Sequence, residues 1–74
     1  MANALQERYA EALLDRIRND RHPSLTHMDL LESVAPPRQL AEYVLHLLER
    51  IENDTNPSIS MMKRVQGLIA RFGS

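Results

Sequence analysis

The segment Asn19-Asp20-Arg21-His22-Pro23-Ser24-Leu25-Thr26 recurs thirty-four residues later as Asn53-Asp54-Thr55-Asn56-Pro57-Ser58-Ile59-Ser60. In that register, residues 9–34 and 43–68 share ten identities in twenty-six positions: Tyr9/Tyr43, Leu13/Leu47, Leu14/Leu48, Arg16/Arg50, Ile17/Ile51, Asn19/Asn53, Asp20/Asp54, Pro23/Pro57, Ser24/Ser58 and Met28/Met62. Many other pairs are near-isosteric, among them Asp15/Glu49, Leu25/Ile59 and Leu31/Val65. Self-similarity at a fixed period signals one supersecondary unit used twice. Whatever the first copy folds into, the second must be able to form as well.

The periodicity on either side of the shared segment is helical. From residue 4 to 18 apolar positions fall at Leu5, Tyr9, Ala12, Leu13, Leu14 and Ile17, spaced as an amphipathic helix requires. The Asn19-Asp20 pair is expected to close it, since asparagine tolerates the left-handed conformation that ends many helices, and Pro23 holds His22 away from helical angles. Ser24 reads as the N-cap of a second helix, with Thr26 and Asp29 an alternative capping box. That helix, residues 24–35, turns Leu25, Met28, Leu31, Val34 and Ala35 inward.

Pro36-Pro37 forbids simple continuation, and Pro37 can open a third helix over residues 37–52 with Leu40, Tyr43, Val44, Leu47, Leu48 and Ile51 on its stripe. The turn then repeats. A last helix from Ser58 carries Ile59, Met62, Val65, Leu68, Ile69 and Phe72, and Gly73-Ser74 reads as a fraying end. Alternating β-branched runs and hairpin dipeptides are both missing. The expected fold is all-α: four short helices forming two tandem αα-hairpins related by a pseudo-twofold internal repeat. Residues 1–74 then form a single helical domain, with repeat units over about 4–35 and 37–72. The period equals that of the tetratricopeptide repeat. The tryptophan-leucine-glycine-tyrosine pattern of that family is missing and the prolines fall elsewhere, so the chain is not assigned to it.

Composition narrows the functional classes. A chain of 74 residues buries only about 60% of the surface its unfolded form exposes. With no cysteine, neither disulfides nor thiolate metal sites can reinforce it, a usage that fits a reducing cytoplasm. Helix packing or a second copy must supply the rest. The first residues carry charge by Glu7 and no apolar run of signal-peptide or membrane-spanning length, so neither export nor a membrane is expected. Nine basic against ten acidic side chains do not give the positive footprint of a dedicated nucleic-acid binder.

Candidate chemistry is sparse. An acyl carrier domain has this size and places its modified serine at a helix start, which draws attention to Ser24. Ser58 holds the equivalent place, and one capping need met twice accounts for both serines. His22, His27 and His46 lack the i, i+4 spacing that puts two imidazoles on one helical face, so no metal is expected. Carboxylates such as Asp29 and Glu32 are scattered over polar faces with no nucleophile nearby, and no cofactor or enzymatic activity is expected.

The informative positions are those where the two copies differ in polarity. Leu45 lies more than about 90° from the middle of its helix's apolar stripe, where the first copy has Glu11, and Leu30 is similarly displaced, opposite Arg64. Surplus apolar surface implies a protein contact. Together with Met61, a thioether able to adapt to a partner, and Phe72, these leucines form the candidate partner-binding set. The expected function is a small, non-enzymatic protein-interaction or regulatory module, self-associating as a homodimer or binding another protein. The alternative is a helix-turn-helix nucleic-acid binder using the last helix, which carries Lys63, Arg64, Gln66 and Arg71 and no acidic residue.

Overall fold

The computed structural model describes residues 4–73. They form four α-helices and no strand: α1 (Ala4–Asn19), α2 (Leu25–Val34), α3 (Pro37–Asn53) and α4 (Ile59–Gly73). Each lies within a residue or so of the span its periodicity predicts. Gly73 is the last residue of α4, whereas Met1, Ala2, Asn3 and Ser74 lie outside the described residues. No helix among the described residues is long and apolar enough to cross a membrane.

The two linkers that carry the repeated segment make the same bonds. Asn19 Nδ2 donates to the Asp15 carbonyl at 2.8 Å, and Asn53 Nδ2 to the Glu49 carbonyl at 2.8 Å. The Asp20 amide donates to the Ile17 carbonyl and the Asp54 amide to that of Ile51. In each linker the aspartate carboxylate accepts from the backbone amide two residues on, His22 at 3.1 Å and Asn56 at 3.0 Å. Such Asx turns satisfy backbone donors that a loop would otherwise leave to water.

Serine then starts the next helix. Ser24 Oγ accepts from the amides of Thr26 and His27, and Ser58 Oγ accepts from Met61. Ser24 is extended, at φ −63° and ψ 135°, as an N-cap should be. Thr26 sits inside α2 and is not the cap. The left-handed closure expected at the asparagines does not occur, because no described residue has a positive φ. The asparagine amide instead satisfies a last-turn carbonyl from the side, so the backbone has no need to reverse its handedness.

The helix break between α2 and α3 follows from the double proline. Ala35 adopts φ −64° and ψ 130°, the extended geometry a following proline imposes, while its amide still donates to the Leu31 carbonyl. The Pro36 carbonyl accepts from the Leu40 amide at 2.9 Å, placing Pro37 at the first position of α3.

The chain divides into two compact units, residues 1–42 and 43–74, with the divide inside α3. In the first unit α1 packs against α2. Its core is Ala10, Leu13, Leu14 and Ile17 of α1, Met28 and Leu31 of α2, and Leu40 of α3. Gln6 Nε2 donates to the Val34 carbonyl at 2.7 Å, so a side chain from the first turns of α1 satisfies one of the orphan carbonyls that end α2. Arg18 lies within 4.0 Å of carboxylates of Glu11, Asp15 and Glu42. All four side chains are substantially exposed, so these pairs contribute little to stability. In the second unit the buried apolar side chains are Tyr43, Val44, Leu47, Val65 and Leu68.

Several residues expected inside are outside. Leu5, Tyr9, Ala12, Leu25, Ile59, Met62 and Ile69 are all exposed. The reason is visible on α1, where positions 10, 13, 14 and 17 form the buried face at helical spacing. Leu5, Tyr9 and Ala12 form a second stripe roughly 120° round the helix. Sequence reading merges two stripes that the helix keeps apart.

Candidate functional site

Of the candidate partner-binding residues, Leu30 on α2 and Leu45 on α3 are exposed, Leu45 at 55% of its full surface. Phe72 is exposed near the end of α4, and Met61 is half-buried in its first turn. Met61 and Phe72 lie on the same side of α4, about three turns apart. Leu45 occupies the face of α3 away from the buried Tyr43 and Leu47. It shares that face with Glu49 and Glu52, four and seven residues on and both exposed.

The donors of α4 do not share one face. Arg64 and Arg71 lie close together in angle, Gln66 points roughly 160° from Arg64, and Lys63 lies between them. Lys63, Gly67 and Arg71, spaced four apart, line one exposed face with no acidic residue on the helix. A Cβ built at Gly67 would meet no atom within 4 Å, and its φ is not positive. Neither internal packing nor backbone geometry therefore requires glycine here.

The histidines are dispersed. His22 is exposed, while His27 and His46 are half-buried on different helices. Among the described residues no group of three His, Cys, Asp or Glu side chains is placed to hold a metal ion. Ser24 Oγ is engaged with two backbone amides, the work of a cap.

One polar residue is buried where sequence reading did not look. Gln39, in the first turn of α3, is 3% exposed. Its Nε2 donates to the Glu7 carbonyl at 3.0 Å and to Glu11 Oε2 at 3.1 Å, and its Oε1 is buried without a hydrogen-bond partner. The signal was its place at the edge of the α3 stripe, four residues before Tyr43 and next to Leu40. Gln39 joins α3 to α1 within the first unit.

Comparison of the chain with protein-family models, curated proteins and solved structures finds no match in any of the three.

Proposed function

We propose that this chain is a cytoplasmic, non-enzymatic interaction module that acts by self-association, built as two quasi-equivalent αα-hairpins. The observation that carries this reading is the exposure of Leu45, a large apolar side chain in mid-helix that keeps 55% of its surface in solvent, on the face of α3 away from the buried Tyr43 and Leu47. It is one of nine large apolar residues exposed among the described residues. Fully burying a leucine gains about 1.5–3 kcal/mol, and association costs about 4–15 kcal/mol of lost freedom. Several of these residues must therefore be covered together, and a second copy offers the same set in return. The near-neutral net charge raises no barrier between copies.

The test is light scattering or sedimentation across micromolar concentrations. Wild-type mass should rise with concentration, and Leu45→Glu should hold the chain at monomer mass. A wild type that stays monomeric at high micromolar concentration overturns the reading.

The second reading, a nucleic-acid binder using α4, draws on the exposed Lys63 and Arg71 and the lack of acid on that helix. It requires a low-salt mobility shift that is lost on changing Lys63 and Arg64 to glutamate.

A further inference from the structure

Two features of the second unit face outward: an exposed leucine and a glycine with open space around it. Leu45 adds a large side chain to the outer face of α3, and Gly67 removes a side chain from the outer face of α4. Glycine is the poorest helix former after proline, so a mid-helix glycine with open space around it weakens its helix with no internal return. An internal comparison sharpens the point, because the first copy of the repeat has Glu11 where the second has Leu45 and Ser33 where it has Gly67. Leu45 and the gap at Gly67 thus both belong to the second copy, while the first copy's displaced leucine, Leu30, lies on α2.

The charges around them are opposite. Leu45 shares its face with Glu49 and Glu52, while Gly67 lies between Lys63 and Arg71, one turn to either side. Lys63 itself replaces Asp29 of the first copy. One face therefore presents an apolar knob beside carboxylates. The other presents a bare stretch of helix flanked by cations, where a neighbouring helix can approach closely. Complementary faces of this kind steer and orient a partner.

We infer that the partner of each face is the other face on a second copy of this chain, with Leu45 of one copy seated over Gly67 of the next. With the two helices antiparallel, Glu49 comes opposite Lys63, and the helix dipoles also oppose. This contact rests on the self-association proposed above and names its surfaces.

The chain contains no cysteine, so introduced thiols report one contact only. Leu45→Cys and Gly67→Cys proteins, mixed and oxidised mildly, should give a mixed disulfide dimer well in excess of either homodimer. Oxidation of Leu45→Cys with a Ser33→Cys protein, the equivalent position of the first copy, should not. A charge test accompanies it. Glu49→Lys and Lys63→Glu should each weaken association several-fold, and the double variant should recover it. If wild type associates while the cross-link fails and the reversals change nothing, this contact is overturned and self-association stands on another surface. If wild type never associates, both fall.

Discussion

Gln39 Nε2 bridges the Glu7 carbonyl and the Glu11 carboxylate, so a side chain from the first turn of α3 fastens that helix to two successive turns of α1. The Gln39 Oε1 beside it is buried and accepts nothing. The geometry demands a donor and makes no use of the acceptor. Gln39→Glu should therefore cost about 2–3 kcal/mol or more in urea denaturation, since it aims a carboxylate at a carbonyl and a carboxylate. Gln39→Leu should cost no more than about 1 kcal/mol, because it also removes the unpaired oxygen.

The serine caps predict a second pair of values. Ser24→Ala should destabilise by about 1 kcal/mol and Ser58→Ala by the same or less, given that Ser24 is half-buried and accepts from two amides. Glycine at either site should cost only a few tenths, about the penalty expected when a cap retains its backbone freedom. Thermal melts followed by circular dichroism would check both.

The helix ends give a prediction of opposite sense to the usual one. Glycine commonly stabilises a helix terminus that turns left-handed, but Asn19 and Asn53 are not left-handed. Asn19→Gly and Asn53→Gly should each lose about 0.5–1 kcal/mol, through greater unfolded-state freedom and loss of the amide bond to Asp15 or Glu49. A gain in melting temperature would contradict the side-chain closure described here.

Burial on α1 separates two leucines nine residues apart. Leu14 is fully buried and Leu5 is 78% exposed. Leu14→Ala should cost about 2–5 kcal/mol, enough to unfold a domain this small, and Leu5→Ala should stay within about 0.5 kcal/mol of wild type.

Gly67 offers a separation of stability from association. Gly67→Ala should stabilise α4 by about 0.8–1 kcal/mol, a rise of roughly 4–8 °C in melting temperature for a domain of 60–100 residues. Under the inferred contact it should weaken association in the same sample, because a methyl group would occupy the place of Leu45. A variant that melts higher and also associates more tightly would count against that contact.

The helices and their breaks were legible because they depend on local chemistry. Prolines, capping serines and the spacing of Leu13, Leu14, Ile17, Leu40, Tyr43 and Leu47 act within a turn or two of themselves, and the exposed Leu30 and Leu45 could be placed by angle alone. What a sequence leaves undecided is which of two apolar stripes on one helix finds a neighbour. Tyr9 and Tyr43 are matched by the repeat, yet Tyr43 is fully buried and Tyr9 is not. Gln39 escaped notice for the same reason, since its burial depends on Glu7 and Glu11, about thirty residues away along the chain. The left-handed reading of Asn19 failed because a residue's tolerance of a conformation does not oblige the chain to use it.

The two linkers share their asparagine and aspartate bonds and each ends on a capping serine, Ser24 accepting from two amides and Ser58 from one, so they are close to interchangeable parts. A gene crossover within the shared Asn-Asp and Pro-Ser stretch would join α1 to α4, or α3 to α2, through a turn whose bonding is unaltered. Chains shorter or longer by one helix pair are thus reachable in a single recombination event, without passing through a broken joint.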